Sequence, residues 1–244
     1  MRRMKWLAMW AALALAGAAR AGELDQPQFA PGDVWLYDNV EIKNGTRVET
    51  QNEVTVERLQ GDRMVVSIKA VGSARPPVER LVPLDWSRLR SVNDAETLVN
   101  RPLAFPLAVG KSWRVEFSEA NPKPGVTREQ NAWVFKVIDW EQIKVGGQDY
   151  KALKIEANDN WIVETSPRVV NNAIVANGGK GLAAARTESN VIAAKRAAGK
   201  AYKAIYYVPS IKRWVKSIEE SYDSSGVVNF STTDELKDFH PGGG

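Results

Sequence analysis

Between residues 33 and 166 the chain alternates apolar and polar side chains over run after run, the period of strands half buried in a sheet. In MVVSIKA, Met64, Val66, Ile68 and Ala70 share one face, and in LKIEA, Leu153, Ile155 and Ala157 do the same. Turn chemistry separates the runs. Asn44-Gly45 stands between two alternating arms, the strongest short hairpin signal. Gly61-Asp62, Gly146-Gly147 and Ser225-Gly226 punctuate three further pairs. Four hairpins predict a mainly β, antiparallel architecture.

A weak repeat refines this. PGDVWLYDN (31–39) and VGKSWRVEF (109–117) each place a Gly three residues before a Trp and then alternate. A long hairpin follows each, around Gly61 and around Gly146. The pattern predicts two meander-like halves joined by the Pro-rich stretch 75–106, forming a curved antiparallel sheet or open half-barrel. Chance likeness of two amphipathic strands is the alternative.

Residues 168–204 break the rhythm, being rich in Ala, Asn and Gly. Val191, Ala194, Ala198, Ala201, Tyr202 and Ile205 follow helical spacing, with Arg196, Lys200 and Lys203 on the opposite side. Gly199 weakens such a helix by about 1 kcal/mol relative to Ala. The expectation is a partly helical basic insertion into a single β-rich domain over 22–236, followed by a flexible tail at 237–244.

The N-terminus changes the charge picture. Arg2, Arg3 and Lys5 precede an apolar stretch, Trp6 to Ala19, and Ala19-Arg20-Ala21 offers a small-x-small cleavage site. This reads as a cleaved secretory leader over residues 1–21, too short for a comfortable membrane span. The whole chain has a formal net charge of +4, with 33 Lys and Arg against 29 Asp and Glu. Four of the 33 lie in the leader, which has no acid, so the remainder is balanced at 29 of each sign. Within it, residues 168–216 hold ten basic groups and only Glu188. Export argues against nucleic acid as a partner despite that segment. The chain has no Cys, which removes disulfides, thiolate nucleophiles, Cys-based metal sites and a lipid-bearing thiol after the cut. The expected location is periplasmic, not as a lipoprotein, with secretion as the alternative.

Catalytic parts are scarce. The single His, His240, sits in the FHPGGG tail, so no Ser-His-Asp triad or multi-His zinc site can be assembled. No phosphate-binding glycine loop occurs either. No catalytic residue, metal or cofactor is expected. Two carboxylate pairs could serve glycoside hydrolysis: Asp139 and Glu141 around Trp140, and Asp159 and Glu164 around Trp161. Their bland reading is a solvated strand face. Aromatic residues are more suggestive, and Trp140, Trp161, Tyr206 and Tyr207 are the candidate ligand-binding set. Tyr206 and Tyr207 are adjacent, so on a strand they face opposite sides.

The segments YYVPSIKRWVKSIEESYDSSG, PGDVWLY and VGKSW resemble a diffuse group of proteobacterial periplasmic proteins of unknown function. That resemblance implies a curved open sheet like the half-barrels of lipoprotein carriers, and it brings no catalytic residues. The basic insertion at 168–204 departs from the group's pattern. The leading expectation is a non-catalytic envelope protein holding a lipid, another apolar molecule or an envelope partner. The alternative is docking through residues 194–216, with Arg196, Lys200, Lys203, Lys212 and Arg213 meeting anionic lipid or an acidic partner as a peripheral contact. A carboxylate-dependent glycan hydrolase is the third reading.

Overall fold

The computed structural model describes residues 22–92, 94–178 and 182–243, and of residues 171–178 and 182–188 it describes the backbone alone. Strands β1 (Val34–Lys43), β2 (Thr46–Gln60), β3 (Arg63–Ala70) and β4 (Val78–Pro83) form a meander. A hairpin of β5 (Arg88–Val92) and β6 (Ala95–Asn100) follows. A second meander comprises β7 (Ser112–Lys123), β8 (Val126–Val145) and β9 (Gln148–Thr165). β10 (Arg168–Gly178) and β11 (Leu182–Ile192) pair with each other, and β12 (Lys195–Val208), β13 (Arg213–Tyr222) and β14 (Val228–His240) complete the chain.

Ten strands join one antiparallel sheet in the order β4-β3-β2-β1-β14-β13-β12-β9-β8-β7, which does not close into a barrel. Both expected meanders are present, but no strand of one pairs with a strand of the other. The C-terminal strands lie between them, β14 against β1 and β12 against β9. The predicted turns hold because their residues tolerate positive φ: Asn44 at 50° with Gly45 at 80°, and Gly146 at 57° with Gly147 at 87°.

One face of the sheet carries the core. Trp35, Val54, Val56, Met64 and Val66 line its first half; Phe135, Val137, Leu153 and Ile155 line its second, with Ile205 and Tyr207 between. An open sheet must cover such a face. Here the chain covers it with its own connections: Phe29 from the segment before β1, and Trp86, Leu103 and Leu107 from residues 84–107. Leu24 and Leu107 exchange backbone hydrogen bonds at 2.7 and 2.8 Å. The Lys111 ammonium donates to the carbonyls of Ala104 (2.6 Å) and Pro106 (2.7 Å), fixing the end of the cover.

Two expectations are corrected. The described backbone of 168–204 is extended, not helical. Residues 195–207 pair with β9 while 200–208 pair with β13, so two ladders outweigh the modest helical preference of an Ala-rich run. As a strand it puts Ala201, Lys203, Ile205 and Tyr207 on one face, where all are buried, and Ala204 on the other face is buried as well. The tail is also tied down through its first half. Lys237–His240 belong to β14, Phe239 stands opposite Trp35, and the Gly242 N–H donates to Asp33 Oδ1 at 2.8 Å.

Candidate functional site

The four aromatic candidates do not converge. Tyr207 lies in the core, 1% exposed, edge-on to Phe105 at 5.7 Å between ring centroids. Its neighbour Tyr206 faces the other side of the sheet, opposite Lys154 and Lys216, with the Lys154 ammonium 5.9 Å from its ring. Trp140 stands at a bulge in β8 with Lys151 5.4 Å from its ring. Trp161 lies opposite Gly199, and its indole N–H donates to the Lys200 carbonyl at 3.2 Å.

Three of the five basic candidates point inward, and the structure gives them internal partners. Lys212 reaches both oxygens of the fully buried Asp33 at 2.8 Å. Lys203, 8% exposed, pairs with Glu219 at 2.8 Å and lies 4.8 Å from the Trp133 ring. Arg213 enters an aromatic box, its guanidinium carbon 4.1 Å from Trp86, 4.4 Å from Trp214, 4.9 Å from Tyr37 and 5.9 Å from Trp35. Its Nε and Nη1 are buried without hydrogen-bond partners. Burial lowers its pKa and raises that of Tyr37, whose hydroxyl donates to the Trp214 carbonyl at 2.5 Å. These three side chains are structural rather than parts of a docking surface. Arg196 is exposed and paired with Glu164 at 3.5 Å, whereas Lys200 is exposed and has no side-chain partner among the described residues.

The carboxylates are likewise engaged. Glu141 pairs with Lys154 at 3.2 Å, and Asp139 accepts from the Trp140 N–H at 2.7 Å. Asp159, 2% exposed, accepts from Asn131 Nδ2 at 2.6 Å and from the Ala132 N–H at 2.5 Å. Burial nonetheless holds its carboxyl above the ordinary carboxylate range, against the pull of those hydrogen bonds. Neither proposed pair presents two free carboxylates to one site.

A groove of about 760 Å³ opens on the outer face, away from the core. Tyr202 and Tyr222 form its aromatic walls, and the turn from Asp223 to Gly226 closes one end. Tyr202 donates to Glu156 at 3.0 Å and Tyr222 donates to Glu220, which ties each ring to its own sheet face. Burial, and after it the hydrogen bond to Glu156, pushes the Tyr202 hydroxyl up to about 12. Asn158, Asn160 and Lys200 line the groove with polar side chains that have no partner among the described residues. Gly199 sits in its floor because a Cβ there would meet Trp161 Cζ2 at 2.5 Å and overlap the Tyr222 carbonyl. In the sequence, the signal was the alternation Asn158-x-Asn160 facing Lys200-x-Tyr202, hidden while residues 191–205 were read as a helix.

No family model matches the chain, and no curated protein is similar to it. Solved structures that align with it include a putative lipoprotein from Parabacteroides distasonis ATCC 8503. That chain is 12% identical and aligns at a TM-score of 0.45 over 91% of this chain and 100% of its own. A putative exported protein with a YmcC-like fold from Bacteroides fragilis NCTC 9343 is 11% identical, with a TM-score of 0.43 over 89% of this chain and 99% of its own. Both come from Bacteroidetes, so they lend no support to a proteobacterial source for the resemblance.

Proposed function

We propose that the chain is an exported, non-catalytic binding protein of the cell envelope whose ligand site is the outer groove between Tyr202 and Tyr222. The ligand class that fits is an amphipathic molecule with an apolar body and neutral hydrogen-bonding groups. One observation carries the reading: Asn158, Asn160 and Lys200 have no side-chain partner among the described residues in a groove lined by two tyrosines, while Arg196, Lys203 and Lys154 nearby are paired with carboxylates. A volume of about 760 Å³ lies within the roughly 300–1,000 Å³ of small-molecule sites.

Export rests on the leader over residues 1–21, which lies outside the described residues. No helix among the described residues is long and apolar enough to cross a membrane. The engaged states of Asp139, Glu141, Asp159 and Glu164 favour binding over glycan hydrolysis. Docking through residues 194–216 is the weaker reading, because Lys203 and Lys212 are held in ion pairs and Arg213 is enclosed by rings.

Native mass spectrometry of the chain purified from the periplasm of a bacterial host tests the proposal. A noncovalent adduct is expected on the parent and is expected to be lost in an Asn160→Leu, Tyr222→Ala variant with the same circular dichroism. An adduct-free parent, or an adduct equally retained by the variant, refutes it.

A further inference from the structure

β10 and β11 pair only with each other and stand outside the ten-stranded sheet. They prolong the β9–β12 ladder, whose last pair is Thr165 with Lys195, after two unpaired residues on each strand. Pro167 lies in one of those gaps and has no N–H to give a ladder. No strand flanks the ribbon beyond the break. β7 and β8 turn back at Gly125, level with Thr165, and β13 ends at Tyr222, level with Lys200. Eleven register pairs make the ribbon about 36 Å long, and a free two-stranded ribbon is marginally stable in water.

The two faces of the ribbon differ in charge. Register places the three charged residues of its described strands, Arg168, Arg186 and Glu188, on one face. The other face runs from the pair Val169–Val191 at its base, through Val175–Ala185, to Asn177–Ala183, and carries no charge. Val169 and Val191 stand directly opposite each other. At 61% and 71% exposed, they are the two most exposed large apolar side chains among the described residues. The chain covers the core face of its main sheet yet leaves the base of this face open.

The chemistry of the face selects a second copy of the chain to cover it. A two-fold contact sets one patch against its own copy, which a face without charges tolerates in any register. The cores of protein interfaces are likewise depleted in charged residues. Strands that face lipid carry an apolar band, which Asn171 and Asn177 interrupt here. A face about 36 Å long and 10 Å wide buries on the order of 1,000 Å² between two copies, near the lower limit of specific interfaces.

We propose that the uncharged face of the β10–β11 ribbon packs against the same face of a second copy, forming a two-fold dimer joined arm to arm. This face shares no residue with the outer groove, and the dimer requires no ligand there.

The test is sedimentation equilibrium of the mature chain, from residue 22 onward, over about 1–500 µM. The parent is expected to dimerise with a Kd on the order of 1–100 µM. Val191→Lys and Asn190→Lys add the same charge at neighbouring exposed positions on opposite faces. Val191→Lys is expected to weaken the dimer by about tenfold or more, as is Val169→Lys, and Asn190→Lys by less than about threefold. All three positions are exposed, so the substitutions leave the core intact. A parent that stays monomeric at about 500 µM overturns the proposal. A dimer that Val191→Lys leaves unchanged, or that Asn190→Lys weakens equally, overturns it as well. A monomeric parent that floats with phosphatidylethanolamine–phosphatidylglycerol vesicles, and loses them in Val191→Lys, assigns the face to lipid and also overturns it.

Discussion

Asp33 is the most heavily loaded carboxylate in the structure, and its removal should be severe. Its side chain is fully buried. Oδ2 accepts from the Ala30 N–H at 2.8 Å and Oδ1 from the Gly242 N–H at 2.8 Å, while Lys212 Nζ reaches both oxygens at 2.8 Å. One carboxylate therefore joins the entry to β1, the turn before β13 and the end of the chain after β14. Asp33→Ala leaves the Lys212 ammonium, 20% exposed, without its anion. Breaking one side of a buried pair costs about 3–5 kcal/mol. That is a large part of the roughly 5–15 kcal/mol expected for total stability.

The same logic fixes the companion variants. Lys212→Met keeps the apolar stem but strands the Asp33 carboxylate with only two N–H donors, so it should also cost about 3 kcal/mol or more. Removing both charges together should cost less than the sum, by about 2 kcal/mol or more, because the double variant buries no unpaired ion. Urea unfolding, monitored by Trp fluorescence and circular dichroism, measures all three. If Asp33→Ala costs under about 1 kcal/mol, or if the two losses simply add, the carboxylate is not the joint described.

Three further outcomes follow from single sites. Gly199→Ala should lower stability by about 1–3 kcal/mol, since its Cβ must displace Trp161 or the Tyr222 carbonyl; an unchanged urea midpoint would show that the strands separate freely there. Arg213→Met should stay within about 1 kcal/mol of the parent, as it removes two buried donors that have no partners, whereas Arg213→Ala opens a cavity among four rings and should cost about 2–5 kcal/mol. Equal losses by thermal unfolding would mean that the cation–π contacts outweigh desolvation. For Asp159, burial makes the folded chain hold the proton more tightly than the unfolded chain does. Its contribution to stability is therefore full below the unfolded pKa of about 3.9 and is lost as pH rises through the higher folded value. A ¹³C-carboxyl titration of this residue with a midpoint at or below about 3.9 contradicts that sign.

The strands and their turns were legible because a local rule governs each one. Asn44-Gly45 and Gly146-Gly147 adopt the positive φ values that two-residue hairpins require, so turn and flanking alternation agree. Tyr206 and Tyr207 do face opposite sides of β12, as adjacency on a strand demands. The order of strands was not legible. Nothing local to β14 says that it pairs with β1 some two hundred residues earlier, because that pairing is decided by which apolar faces remain uncovered. The segment 191–205 misled because Ala suits either state and its Lys spacing fits a helix. Pairing on both sides decides for a strand, which sends Lys200 to the outer face and Lys203 to the core. Lys212 and Arg213 read as surface charge from their neighbours in sequence. Their burial depends on Asp33 and on rings from Trp35, Tyr37 and Trp86, all remote along the chain.

The covered inner face decides where a ligand can go. A sheet that held a lipid against its core face would need that face open, yet Trp86, Leu103 and Leu107 already occupy it and are at most 8% exposed. Displacing those three side chains into water would forfeit about 1.5–3 kcal/mol each, or roughly 5–9 kcal/mol together. That loss is comparable to the whole binding energy of a micromolar ligand, about 8.2 kcal/mol. The segment 84–107 thus fills the place that a carrier would reserve for cargo, and Trp35 Nε1 and Trp113 Nε1 are already satisfied by the Ile211 and Arg101 carbonyls at 2.8 Å. Among the described residues, unspent hydrogen-bonding capacity lies instead at Asn158, Asn160 and Lys200 on the outer face. The binding role proposed for the outer groove therefore rests on polar groups at its walls rather than on apolar volume within the sheet.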